Sequence, residues 1–317
     1  MPTPVCATEL KPSSFEDYRI LTDFAILTFS GWANAAVQKF ASTLRTLLIF
    51  LNMLDNTIGK IAFLHIPKTA GVSVIDAFVQ RLGAESCQAF SSEISEDVFS
   101  KKTFVSGHVY LGDIQCDPFI FTFVRNPLEQ IASHLMWVDH YNQPEYEIEL
   151  NGFPEKIRQE IRRVASVDLS SAKSIDKYFE SRSHDSEIRL INLQSELLVF
   201  KRGHVTEMTH RDLASKAINN LNRFGFVGIS EDLSAEMKTL FEMLNLGASP
   251  VISHLNSSPS SRKVDTSVHD IQRTLLKYVQ ADLRLYEHVM AEKKSSLKTN
   301  RNIFSIMQSF ARKYTRA

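Results

Sequence analysis

The residues best suited to chemistry gather around Lys68. It stands in His65-Ile66-Pro67-Lys68-Thr69-Ala70-Gly71-Val72-Ser73, with hydroxyls at Thr69 and Ser73 and a single glycine, Gly71. A mobile positive charge, two hydroxyl donors and the amides of a loop that opens a helix would face one spot. That spot suits a phosphate or another anion. Two further groups follow along the chain: His108 in Ser106-Gly107-His108-Val109, and Arg125 in Phe121–Ser133, FTFVRNPLEQIAS. An imidazole can take a proton near neutral pH, although a lone histidine is more often structural. Arg125 and Ser133, taken singly, read as a cap on a strand end and a serine on a helix.

The elements that must position these groups are legible as hydrophobic patterns. Ile61, Ala62, Phe63, Leu64 and Ile66 form an apolar run closed by Pro67, the pattern of a buried parallel strand. Val74, Ala77, Phe78 and Leu82 recur at helical spacing, and Gly83 is a C-terminal stop. Gly71 would let the backbone approach a ligand. Thr103–Val105, Pro118–Val124 and Phe224–Ile229 read as further strands. Asn126-Pro127 reads as a helix N-cap and first-turn proline, with Leu128, Ile131, Ala132 and Leu135 facing inward. Residues 139–187 are polar and mostly helical in pattern. Further helices are predicted over Ile188–Val199, Asp212–Asn222, Ser234–Leu244 and Asp270–Ala291, with a Ser-, Pro- and Asn-rich loop over Gly247–Val264. Strands alternating with helices predict an α/β fold, a central parallel sheet flanked by helices. Lys68 and Arg125 then fall at the carboxyl ends of strands, where ligands of such sheets bind.

The loop is not the common nucleotide loop. GxxxxGK[ST] places its lysine after the glycines, whereas Lys68 precedes Gly71. By spacing alone, an ordinary strand–loop–helix connection is the other reading.

The 317 residues, 44% of them hydrophobic, suffice for one large domain or two small ones. Acidic and basic side chains balance at 36 each, so nothing global points to nucleic acid as a partner. Cys6, Cys87 and Cys116 are scattered with no CxxC, which argues against a zinc site or disulfide framework and fits a reducing compartment. The N-terminus lacks the charged-then-apolar order of a secretory signal. Leu21–Leu54 reads as one or two helices packing on the domain; Phe24–Gln38 is uncharged but short and interrupted by Ser30 and Asn34, which leaves membrane association as the lesser reading.

The loop His65–Ser73 resembles the 5′-phosphosulfate-binding loop of sulfotransferases that use 3′-phosphoadenosine 5′-phosphosulfate (PAPS). It looks most like the branch of carbohydrate sulfotransferases such as heparan sulfate 2-O-sulfotransferase, and bacterial relatives. The resemblance implies that Lys68, Thr69, Gly71, Val72 (through its amide) and Ser73 hold the phosphosulfate, with Lys68 also stabilising the leaving phosphate oxygen. Phe121–Ser133 is similar to the family's 3′-phosphate segment, which implies that Arg125 and Ser133 bind that group. A guanidinium suits it because its planar fork gives two parallel charged hydrogen bonds. Gly107-His108-Val109 is similar to a Gly-His-Val whose histidine is the base, a role carried here onto His108, with Asp113 and Glu129 as competing bases. Asp113 would otherwise orient the imidazole.

Weaker likenesses follow. Asn192-Leu193-Gln194-Ser195 resembles the family's Asn-x-Gln-Ser/Thr helix, but Glu196 stands where an arginine often follows. Phe226–Glu231 resembles a Phe-Val-Gly-x-Thr-Glu strand end, and Leu283–Glu287 the closing helix. His254-Leu255-Asn256 with Arg262-Lys263 resembles a late loop over the nucleotide, which would bring Arg262 to the 3′-phosphate. His65 reads as structural. His134, Trp137, His140 and Tyr141 would line an acceptor cleft or form a solvated helix end, and the region Trp137–Glu187 would decide the acceptor.

The resemblance spans about residues 60–290 and implies a P-loop-like sulfotransferase fold. Its domain would cover 58–292, after a helical extension (1–57) and before a basic tail (293–317). The implied activity is PAPS-dependent transfer of a sulfuryl group to a hydroxyl, on a carbohydrate, without a metal. Because Golgi relatives carry an N-terminal anchor, it also implies a cytoplasmic enzyme. Two other classes stay open. An ATP-dependent P-loop-type kinase would need a magnesium-ligating carboxylate. A non-catalytic nucleotide-binding protein would need none of these groups together.

Overall fold

Five short strands, all parallel, form one sheet in the computed structural model, which describes residues 59–182, 186–252 and 262–295. They are β1 (Ile61–Leu64), β2 (Cys87–Gln88), β3 (Phe104–Gly107), β4 (Phe119–Val124) and β5 (Phe226–Ile229), in the order β2-β3-β1-β4-β5. β1 is central, in register with β3 from Ile61↔Phe104 to Leu64↔Gly107 and with β4 from Ile61↔Phe119 to Phe63↔Phe121. All four predicted strands are present; β2, two residues long, carries too little pattern to be read from sequence.

Alternation along β1 explains the layers. Ala62 and Leu64 face one core with Val105, Ile120 and Val124, while Ile61 and Phe63 face the other with Phe104, Phe121 and Phe123. Helix α1 (Gly71–Leu82) covers the second face through Val74 and Phe78; Phe78 stacks on Phe104 at 4.3 Å, and Phe63 on Phe121 at 4.8 Å. Between strands, α2 (Glu96–Phe99) precedes β3, and α3 (Pro127–His140) follows β4 with the Asn126 side chain accepting from Leu128 N at 3.0 Å. Helices α4 (Glu147–Gly152), α5 (Glu155–Ala165) and α6 (Ala172–Glu180) occupy the region predicted to be helical. They build a separate core against the flank of α3 through Ile161, Val164, Ile175 and Phe179. Next come α7 (Leu193–Val199), α8 (His210–Asn220), α9 (Leu233–Met243), α10 (His269–Leu276) and α11, described over 280–295. α9 joins α1 on its face of the sheet, while α7, α8 and α11 pack on the opposite one.

Two predicted helices differ from the structure for one reason. Ile188–Val199 is helical only in its second half, and Asp270–Ala291 is broken at 277–279. The two irregular points meet. Asn192, in the left-handed region at φ 46, donates its amide to the Tyr278 carbonyl, and its side chain accepts from Ala281 N at 2.8 Å. Asp282 returns the bond: its carboxylate accepts from Gln194 N at 3.1 Å and Ser195 N at 2.7 Å. Each helix start is thus capped by a side chain from the other. Burial pushes the Asp282 carboxyl up to about 6, against the opposing pull of its amide bonds.

The expected N-terminal extension, the stretch Leu21–Leu54, His254-Leu255-Asn256 and the tail beyond 295 lie outside the described residues. Among the described residues, no helix is long and apolar enough to cross a membrane.

Asp282→Ala should destabilise the domain by about 1–3 kcal/mol for each amide left buried without an acceptor. Urea unfolding measures it; a loss below about 0.5 kcal/mol would show that water takes over the cap.

Candidate active site

The loop between β1 and α1 is bent by two residues that are not glycine. Lys68 and Ala70 both hold left-handed conformations, at φ 68 and 69. Side chains from outside the loop hold that shape. The Arg125 guanidinium donates to the Lys68 carbonyl at 3.0 Å, and Gln130, fully buried on α3, donates to the Pro67 carbonyl at 3.0 Å. Inside the loop, the Thr69 hydroxyl donates to the Ile66 carbonyl at 2.8 Å and is buried. Thr69 is therefore turned inward and shapes the loop. Ala70, the N-cap of α1, supplies no side-chain acceptor, so no side-chain cap covers the start of the helix at Gly71 and Val72.

Gly71 is explained from beneath. A Cβ there would overlap the His65 ring, so the glycine is required by the histidine that supports the loop. His65 stacks on Phe63 at 5.2 Å and meets the His108 ring at 4.4 Å. Burial, then the charges of His108 and Lys68, hold the His65 imidazole well below the usual histidine range. Burial also lowers His108. Both rings are thus neutral at pH 7, and His108, at the end of β3 beside β1, is available as a base. Burial, and then the neighbouring Arg125, push the Lys68 ammonium down to about 8. Two cations held together at a helix start form a site that an anion would complete.

Arg125 is fixed by its own main chain. The Gln194 amide group accepts from Arg125 N at 3.0 Å and donates to Arg125 O at 2.9 Å. Next to it, the Glu231 carboxylate accepts from Asn126 N at 2.6 Å. Ala70, Arg125, Glu129, Ser230 and Glu231 line a cleft of about 190 Å³ between the loop and the ends of β4 and β5. Ser133 lies half-buried on the second turn of α3. These pieces give the two weaker likenesses a physical meaning: Gln194 and Glu231 position the backbone that carries Arg125. Gln130 carried no signal in the sequence beyond a polar residue on a helix.

Other expected residues are placed elsewhere. The Arg262 guanidinium pairs with Asp139 at 2.7 Å and donates to the carbonyls of Ala165 and Val167. Asp139 lies roughly 18 Å along α3 from its start, at 1.5 Å per residue, so Arg262 is not brought to Arg125. Asp113 accepts from Arg202 N at 3.2 Å and does not orient the imidazole of His108. Glu129 accepts from Thr266 and stands 4.0 Å from Arg125. His134 and His140 are buried, and Trp137, His140 and Tyr141 pack on one another and on Tyr146 and Phe153. This is a half-buried aromatic cluster packed against the α3–α6 core. Glu196 is largely buried on α7, where burial pushes its carboxyl up to about 7 while Arg189 pulls the other way. Among the described residues no group of three or more His, Cys, Asp or Glu is placed to hold a metal.

The model of the sulfotransferase family matches residues 52–290. The chain belongs to the sulfotransferase family. The match takes in the loop, His108, Arg125 and the paired caps at Asn192 and Asp282. No curated protein matches the chain. In a sulfotransferase the loop would receive a phosphosulfate, and the residues that fit one are a helix start and two crowded cations, Lys68 and Arg125, with Glu129 4.0 Å from the Arg125 nitrogen that does not hold the loop carbonyl.

Anion binding should depend on pH through Lys68. Its free-state value of about 8 means that affinity for adenosine 3′,5′-bisphosphate falls above pH 8, by up to tenfold per pH unit. Calorimetric titration from pH 7 to 9 measures the slope. Lys68→Met should bind more weakly with a flat profile; an unchanged slope would assign the proton to another group.

Proposed function

We propose that this sulfotransferase transfers a sulfuryl group from PAPS to a hydroxyl of an acceptor, and that the acceptor is a carbohydrate, as in the 2-O-sulfotransferase-like branch. The observation that carries the reading is one arrangement: Lys68 and Arg125 joined through the Lys68 carbonyl, with His108 one strand away against His65. A kinase would need a strand-end carboxylate for magnesium. Glu231, at the end of β5, is engaged instead with Asn126 N.

When bound, PAPS supplies an activated sulfuryl group and a good leaving group. The chain's part is positioning and charge neutralisation, as in phosphoryl transfer. The amides of Gly71, Val72 and Ser73 hold the 5′ end, with Thr69 shaping their loop. Lys68 neutralises the bridging oxygen as its bond to sulfur breaks. Arg125 and Ser133 take the 3′-phosphate. His108 accepts the acceptor's hydroxyl proton as that oxygen bonds to sulfur, and adenosine 3′,5′-bisphosphate departs.

Nucleotide selectivity tests the donor. Adenosine 3′,5′-bisphosphate should bind far better than 5′-AMP or ATP, and Arg125→Ala should remove about 1.5–3 kcal/mol of that preference, the worth of a charged hydrogen bond. Equal affinity for the bisphosphate and 5′-AMP would sink the assignment, and preference for ATP would favour a kinase.

The pH–rate profile tests the base. The lowered His108 value places the acid limb of kcat/KM below the ordinary histidine pKa of about 6.5. His108→Ala should cut turnover by roughly 10²–10⁴-fold and abolish that limb while bisphosphate affinity holds. A mutant that keeps the limb would move the role elsewhere.

A further inference from the structure

Among the described residues, Phe90 is the exposed bulky apolar side chain whose ring meets His108. It is 57% exposed and holds φ 52, a left-handed conformation that a ring-bearing residue adopts only under constraint. Its ring lies 6.2 Å from His108, edge-on at 76°, and 6.0 Å from His65. The constraint is visible next door. Ser91 N donates to the Ser106 carbonyl at 2.7 Å, and a Cβ on Gly107 would overlap the Ser91 carbonyl. Gly107 thus lets the 90–91 backbone cross directly over the end of β3, leaving the Phe90 ring in solvent at the edge of the imidazole. Neither hydrophobic burial nor local backbone preference accounts for that placement. Strained residues of this kind cluster where a ligand is gripped.

Beyond Phe90 the same segment forms one wall of a cleft of about 440 Å³, a size that accommodates a small ligand. Its polar lining includes Glu93, Asp113, Gln115, Lys201 and Arg202. Arg202 ties the opposite wall to His108: its guanidinium reaches the His108 carbonyl at 3.4 Å, and its amide donates to Asp113. Strand order sets the cleft on the far side of Lys68 from the Arg125 cleft. The segments just after β4 and β5 line the Arg125 cleft, the segments that follow β2 and β3 line this one, and β1 stands between β3 and β4 in the sheet.

We propose that Phe90 and this cleft form the acceptor subsite, and that it takes an uncharged sugar ring stacked on Phe90 with one hydroxyl turned to His108. The inference rests on the sulfuryl-transfer reading above. It departs from the expectation that Trp137–Glu187 decides the acceptor, since Trp137, Tyr141 and Phe153 of that region pack half-buried against a separate core. The apolar C–H face of a sugar suits an exposed aromatic face, and its hydroxyls can both donate and accept. Two carboxylates and two cations line the cleft. That balance gives a polyanionic chain no net attraction.

The test compares sulfuryl transfer from PAPS to p-nitrophenyl glucoside, p-nitrophenyl galactoside, a uronate-containing disaccharide and p-nitrophenol, with bisphosphate binding measured in parallel. The neutral glycosides should be preferred. Phe90→Ala should lower their kcat/KM by about 10- to 100-fold, mostly through KM, and Phe90→Tyr should keep it within about threefold. Gln115→Ala, an exposed change, should also raise KM. Phe90→Gly should lose acceptor use while its Tm holds or rises, because glycine tolerates the left-handed backbone. Bisphosphate affinity should be unchanged in all four. Intact bisphosphate binding with p-nitrophenol or the uronate preferred, with no saccharide accepted, or with Phe90→Ala indistinguishable from the parent, overturns the inference. Loss of bisphosphate binding in the parent protein would instead overturn the sulfuryl-transfer reading beneath it.

Discussion

A single buried carboxylate, Asp282, holds the terms on which the rest of the site is built. It accepts the first amides of α7, and so fixes Gln194, whose side chain grips both backbone polar groups of Arg125. Arg125 in turn donates to the carbonyl of Lys68. Three consecutive hydrogen-bonded links carry the position of α11 to the Lys68 loop. A left-handed lysine and alanine cost free energy on their own. They persist because Arg125, Gln130 and Thr69 each occupy a loop carbonyl or shape its turn.

The electrostatics follow from the same packing. Burial keeps the His65 and His108 rings neutral, so the Lys68 charge faces no imidazolium across the loop. The residual repulsion is between Lys68 and Arg125, the two groups that would share an anion. Neutral histidines on the β3 side and crowded cations on the β4 side are thus two outcomes of the same burial.

Much of this was legible in the sequence, unevenly. The strands were readable because both faces of the sheet are covered, so each strand is an unbroken apolar run. The Lys68 loop and Arg125 stood out through their likeness to the family's segments, and the structure joins them through the Lys68 carbonyl. The paired breaks at Asn192 and Tyr278 were not, since helical periodicity runs on through Ile188–Val199 and Asp270–Ala291. Only the long-range exchange of caps interrupts it. Arg262 was placed with the phosphate groups by sequence likeness alone, and nothing local could reveal that Asp139 and two helix-end carbonyls compete for it. Phe90 was silent because exposure and backbone strain are properties of the fold, not of a residue type.

The exchange between Asn192 and Asp282 also has a consequence for the order in which the molecule is made. Asp282 lies 87 and 88 positions along the chain from Ser195 and Gln194, the α7 residues whose amides donate to it. On a ribosome, β1, its loop, β3 and β4 emerge well before residue 282. Until that residue is free, Gln194 sits on a helix without its cap, and Arg125 has no fixed backbone to pull the loop into shape. A nascent chain can therefore form the sheet while the Lys68 loop still lacks the contact from a fixed Arg125. The loop takes its final shape only when nearly the whole domain has been synthesised.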